Sequence, residues 1–116
     1  MSTKIAFFDI DGTLTSEVDG SLPDSAILAI RQARANGNLM FINTGRCYQN
    51  VEPRFMEIGF DGIVCGCGTN IYYGGKELMH VHQPHEVAME ILEQVRKVDA
   101  DVAVSYTHLT LPTIRL

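Results

Sequence analysis

The sequence predicts an α/β fold built on a parallel sheet. Three observations carry this: apolar runs that end in polar clusters, amphipathic helical stretches between them, and a βαβαβ order along the chain. "KIAFFDI" opens the pattern as an interior strand, because Ile5 and Phe7 fall on one face, Ala6 and Phe8 on the other, and both faces are apolar. In "LPDSAILAIRQARANG" Pro23 and Asp24 are start signals, Ala26, Ile27, Ile30 and Ala33 recur at helical spacing, and Gly37 follows the end. "LMFIN" (39–43) is a second apolar strand running into "TGR", and a weaker helical stretch to about Gly59 is interrupted or opened by Pro53. "GIVCG" is a third strand. "NIYYGGKELMHVH" carries β-branched and aromatic residues on either side of Gly74 and Gly75, a hairpin signal. Residues 85–98 place Val87, Ile91, Val95 and Val98 on one helical stripe, so an insertion into the parallel core is expected from about residue 80.

Composition narrows the function classes. With 116 residues, 46% hydrophobic and 20% charged, the chain has the make-up of one ordinary globular domain with a small core. A net charge of -5 without a Lys/Arg cluster argues against nucleic acid as partner. The N-terminus, with one lysine and a short apolar run leading into acids, is neither a signal peptide nor a spanning helix, so no membrane partner and a cytoplasmic location are expected. Cys47, Cys65 and Cys67 make an odd count and are expected as reduced, buried small residues, since a lone C-x-C pair lacks the ligands of a structural zinc site. His80, His82 and His85 have no acidic or thiol ligand close by in sequence and are expected at a solvated strand end.

Chemistry concentrates in "FFDIDGTLTS". Asp9 ends the first strand and Asp11 lies in the turn beyond it, while Thr44, Gly45 and Arg46 follow the second strand. Ligands of open α/β sheets bind outside the carboxyl ends of the strands, so two polar clusters are expected to converge on one edge. Paired acids suit a reaction in which one carboxylate attacks and the other handles the proton of a leaving oxygen. Two carboxylates would repel a phosphate, so a hard cation such as Mg²⁺ is the natural complement. Gly12 allows a sharp turn whose N–H groups can receive phosphate oxygens. An ordinary polar turn is the plain alternative for D-x-D-G taken alone. A calcium-binding EF-hand loop is excluded by the missing third acid and closing glutamate.

"DIDGTLT" resembles the first signature of the haloacid dehalogenase superfamily of phosphatases, and "FINTGR" resembles its second in the form of the Cof-type sugar phosphatases of subfamily IIB, which carry an α/β cap. The likeness covers about the first hundred residues. It implies a Rossmannoid sheet, with residues 1–80 as the N-terminal part of the catalytic core and 81–103 as the start of the cap. It also implies a Mg²⁺-dependent phosphatase acting on a small phosphorylated metabolite such as a sugar phosphate. Asp9 would form an aspartyl-phosphate, and Asp11 would protonate the leaving alcohol and then activate water. The Asp9 carboxylate and the Asp11 backbone carbonyl would hold the metal, and Gly12, Thr44, Gly45 and Arg46 are the phosphate-contact candidates, with Arg46 equally readable as a surface arginine. A phosphomannomutase-like phosphotransferase and a non-catalytic fragment binding metal or phosphate are the alternatives.

Two departures stand out. Where family members often read Asn-Gly-Ala after the third strand, this chain reads Cys67-Gly68-Thr69. The family's lysine and its G-D-x-x-N-D-like acidic cluster have no counterpart in the 116 residues, so this stretch alone is expected to be inactive. Residues 104–116 abandon the strand pattern, and the DNA string GTC TCT TAT ACA CAT CT, which resembles a transposon end used in preparing sequencing libraries, translates to the residues that stand at Val104 to Leu109. They are expected to be a non-native read-through tail on a truncated gene, with a divergent natural terminus as the alternative. On that reading the first strand would lie on an open edge, and the chain alone would be poorly soluble or molten.

Overall fold

The computed structural model describes residues 2–98, together with the backbone of 101–102 and 114–115. Its elements are β1 (Ile5–Phe8), α1 (Asp24–Ala35), β2 (Leu39–Asn43), α2 (Pro53–Met56), β3 (Gly62–Cys65), β4 (Asn70–Tyr73), β5 (Lys76–His80) and α3 (His85–Val95). The five strands form one sheet in the order β1-β2-β3-β4-β5. β1, β2 and β3 run parallel, with Phe8 opposite Ile42 and Ile42 opposite Ile63, whereas β4 and β5 return antiparallel. Gly74 and Gly75 both take positive φ at the tip of that hairpin, where only glycine is unstrained.

One face of the sheet is covered. Met40, Ile42, Ile63 and Cys65 point to a core shared with Ile30 of α1 and Phe55 of α2, and Ala6, Phe8 and Tyr72 pack against it. α2 is a single turn, too short to persist on helix propensity. It is held because Phe55 is fully buried, a contribution of about 1.5–3 kcal/mol. Pro53 opens this turn instead of breaking it, since the first helical position needs no amide hydrogen.

The other face is open among the described residues. Phe7, Phe41 and Tyr73 form an aromatic row across it, with ring centroids 5.3 and 5.6 Å apart. Gly62 lies beneath that row: a Cβ there would stand 2.3 Å from the Phe41 ring and 2.4 Å from the Tyr72 carbonyl. β1, whose two apolar faces read as interior, lies at the sheet edge and among the described residues pairs only with β2, the open edge expected for this stretch alone. Ile5 and Phe7 are accordingly 55% and 56% exposed.

Further corrections concern single residues. Cys65 is buried as expected, but Cys47 is half-buried and Cys67 is exposed; all three thiols are free. His80 is not solvated: it is tucked beside Glu77, its Nδ1 3.6 Å from the carboxylate, beyond hydrogen-bond reach, with the His82 ring 5.3 Å away. Of the stripe expected over 85–98, Val87 and Ile91 on α3 and Val98 beyond its end are exposed. Among the described residues no helix is long and apolar enough to cross a membrane. Backbone residues Asp101–Val102 pair antiparallel with Ile114–Arg115. The rest of the expected tail, and the expected boundary at 104, lie outside the described residues.

Candidate active site

The loop after β1 is built by alternating anchors and open positions. Ile10 and Leu14 are buried in the core, whereas Asp9, Asp11, Gly12 and Thr13 between and beside them are exposed. Two wide backbone hydrogen bonds close it, Leu14 N–H to the Asp9 carbonyl at 3.2 Å and Thr15 N–H to the Ile10 carbonyl at 3.1 Å. The Thr15 hydroxyl donates to the same Ile10 carbonyl at 3.1 Å. Gly12 has φ of 78°, which lets the chain reverse direction beside the two acids. The Ile10 N–H donates to Asp9 Oδ1 at 2.8 Å and so fixes the orientation of that carboxylate.

The second cluster stands on the neighbouring strand end, because the β1–β2 register places Phe8 beside Ile42. Thr44 is buried. Its N–H donates to the Val64 carbonyl at 2.8 Å, and its Oγ1 accepts the Arg46 N–H at 3.1 Å. The turn after β3 braces this loop from the far side: Gly66 N–H donates to the Arg46 carbonyl at 2.8 Å and Cys67 N–H to the Thr44 carbonyl at 3.3 Å. Cys67 adopts φ of 56°, and its thiol lies 4.0 Å from the Gly45 carbonyl. Asparagine tolerates this left-handed conformation far better than cysteine, which gives the Cys-for-Asn departure a physical cost.

Arg46 joins the two clusters. Its guanidinium donates to both oxygens of Asp11, Nη2 to Oδ1 at 2.6 Å and Nε to Oδ2 at 3.1 Å. Nη1 donates to the Asn50 carbonyl and to Glu52 Oε1, each at 3.3 Å. Glu52 in turn accepts Arg54 Nε at 2.8 Å, and Arg54 Nη1 donates to the Gly20 carbonyl at 2.9 Å. Both guanidinium groups lie over the Phe55 ring, at 5.8 and 4.7 Å from its centroid. The hydrogen bonds from Arg46 hold the Asp11 carboxyl below its ordinary range, against a smaller opposing effect of burial.

The structure thus brings Asp11 and Arg46 into contact and sets Asp9 and Gly12 in one loop, with Thr44 and Gly45 on the adjacent strand end. Sequence reasoning missed Glu52 and Arg54. The string "EPR" carries no periodic or motif signal that would point to Asp11, more than forty positions earlier in the chain.

Fold and site define an α/β domain with two exposed aspartates at the carboxyl end of the parallel strands of a mixed sheet. The chain belongs to the haloacid dehalogenase-like hydrolases, whose family model matches residues 6–111. Pyridoxal phosphate phosphatase YbhA of Escherichia coli (strain K12) is 30% identical over 124 residues, covering 99% of this chain and 45% of that protein. The putative phosphatase YkrA of Bacillus subtilis (strain 168) is 27% identical, over 81% of this chain and 36% of its own length. The chain therefore spans less than half the length of these curated relatives. Among solved structures, the subclass IIB sugar phosphatase BT4131 superposes with a TM-score of 0.68 at 27% identity, covering 92% of this chain and 42% of that one. A protein from Geobacillus kaustophilus HTA426 reaches 0.73 at 33% identity, covering 83% and 37%.

Proposed function

We propose that this chain carries the nucleophile-bearing part of a Mg²⁺-dependent phosphatase for a small phosphorylated metabolite, a sugar phosphate or a compound of similar size. The observation that carries the reading is the loop 9–15, which holds two exposed aspartates on buried anchors beside the Thr44-Gly45-Arg46 turn. The family membership and the similarity to YbhA and BT4131 support it. Residues 1–80 are the core part and 81–103 the beginning of a cap in this reading, and three free thiols suit a reducing, cytoplasmic setting.

In the first step an oxygen of the Asp9 carboxylate bonds to phosphorus as the phosphorus–ester oxygen bond breaks, and the departing oxygen takes a proton from Asp11. In the second, Asp11 accepts a proton from water, whose oxygen attacks phosphorus and releases Asp9 and inorganic phosphate. With Arg46 attached, Asp11 is held as a carboxylate, ready for the second role. The backbone N–H groups near Gly12 and Gly45 and the Thr44 hydroxyl are the candidate contacts to phosphate oxygens.

The donor set fits a hard divalent cation: the Asp9 carboxylate and the Asp11 backbone carbonyl are oxygen donors on an exposed loop that would hold it, and Mg²⁺ ordinarily keeps several waters beside a few such ligands. When bound, Mg²⁺ neutralises charge between carboxylate and phosphate. Among the described residues no three His, Cys, Asp or Glu side chains gather into a further cluster. Each missing transition-state donor costs on the order of a hundred- to a thousandfold, so the 116 residues alone are inactive in this reading.

The test is phosphate release by the full natural chain from sugar phosphates and pyridoxal phosphate, with and without Mg²⁺. Asp9→Asn is expected to abolish turnover and to remove a phosphoryl adduct detectable by mass spectrometry on the quenched wild type. Turnover that survives Asp9→Asn would overturn the assignment.

A further inference from the structure

We infer that Arg46 is a positioning residue for Asp11, held in turn by Glu52 and Arg54, and that its guanidinium serves to aim the proton-transferring carboxylate. The inference rests on the phosphatase reading above and deepens it.

The geometry is specific. Asp11 is exposed on a loop, its side chain 64% accessible, and a carboxylate so placed would rotate among its rotamers. Arg46 grips both of its oxygens, which fixes the plane of the carboxylate as well as its position. Arg46 itself is only 26% exposed and has little freedom, with Nη1 on the Asn50 carbonyl and on Glu52 and the plane over Phe55, which is fully buried. Each of its three nitrogens donates at least one hydrogen bond within the protein.

The chain of contacts does not end there. Glu52 bridges the two arginines, and Arg54 reaches the Gly20 carbonyl. Gly20 belongs to the tight loop closed by Gly20 N–H to the Ser16 carbonyl and by Ser16 N–H to the Ser21 carbonyl. That loop is the continuation of the Asp9–Thr15 segment. The aim of Asp11 and the seat of the 16–21 loop are therefore set by the same three charged side chains, and both hang from Phe55 in the core.

With both oxygens in the Arg46 fork Asp11 is a carboxylate, so its misplacement costs most in the second step, where it takes the proton of the attacking water. The leaving group of p-nitrophenyl phosphate departs without needing a proton, so in a rapid-quench time course on the full natural chain the burst reports the first step and the steady state reports hydrolysis of the phosphoryl adduct. Arg46→Ala is expected to lower the steady-state rate on the order of tenfold to a hundredfold more than the burst rate, with the Asp9 adduct accumulating in quenched samples by mass spectrometry. Arg46→Lys keeps the charge but cannot grip two oxygens, and is expected to show the same accumulation. Glu52→Gln leaves the core untouched and is expected to show it to a smaller degree, which guards against an Arg46 variant that fails to fold. Equal losses of burst and steady state in Arg46→Ala, or restoration of both by lysine, would assign Arg46 to phosphate binding or to structure alone and overturn the inference. A wild type that releases phosphate from neither p-nitrophenyl phosphate nor any metabolite tried would remove the phosphatase reading itself and the inference with it.

Discussion

Asp9 and Asp11 were legible as candidates because their cluster and the Thr44-Gly45-Arg46 cluster each follow an apolar run that predicts a neighbouring strand end. The contact between Arg46 and Asp11 was not, because 35 residues separate the two and no local pattern links them. Cys67 is the reverse case. The sequence shows an unremarkable thiol, and only the backbone reveals that it occupies a left-handed conformation. Such a conformation costs an L-residue roughly 1–2 kcal/mol, while glycine returns about 0.5–1 kcal/mol of that through its looser unfolded chain. Cys67→Gly is thus expected to stabilise the fold by about 0.5–1 kcal/mol, read as a higher urea midpoint at unchanged slope. A lower midpoint would mean that the thiol's contact with the Gly45 loop outweighs the backbone strain. Cys65 is inert by comparison, since burial, with smaller effects of Cys47 and Glu77, pushes its thiol up to about 11.

Periodicity found β2 at its observed bounds, and the cap and stop signals placed α1 within a residue of its observed start. What patterns could not show is the junction where the elements are tied together. Asp61, just before β3, accepts the Met40 N–H at 2.8 Å and receives the Arg34 fork at 3.0 and 2.7 Å. Arg34 also donates to the Gly59 carbonyl, and Gly74 N–H donates to the Asp61 carbonyl at 3.0 Å. One residue therefore joins the end of α1 and the start of β2 through its carboxylate and the turn of the hairpin through its carbonyl. Burial works against its charge, but the Arg34 and Met40 hydrogen bonds together prevail, so its pKa is lowered from 3.8. A depressed folded pKa contributes stability that is present above the unfolded value and lost as pH falls through the folded one. The wild type should accordingly lose stability on acidification below about pH 4, and Asp61→Asn should lose less over the same range. Denaturant midpoints of the two proteins between neutral and acidic pH check this; parallel curves would show that exposure of Arg34 screens the pair to insignificance.

For the whole molecule, the parallel core followed from the βαβαβ pattern, whereas the strand order and the covering of the sheet did not. The doubly apolar character of β1 reads as interior, and in the described residues β1 forms an edge beside the open aromatic row. An unpaired, apolar edge templates association. The 116-residue chain is expected to self-associate at micromolar concentration, and Phe7→Lys to reduce this, as followed by sedimentation velocity. A monomer with a sharp, cooperative thermal transition would refute it.

The place beneath the Phe41 ring, described above as the position of Gly62, has a genetic consequence. The space that a side chain would fill at that point of β3 is already taken by the ring from β2 and by the Tyr72 carbonyl of β4. Every missense change of a glycine codon adds at least a Cβ, and here the nearest backbone atom cannot swing aside as a side-chain tip would. Codon 62 is thereby left with silent changes as its undamaging ones, so a position that hydropathy reads as an empty gap in a strand is among the least substitutable in the sheet.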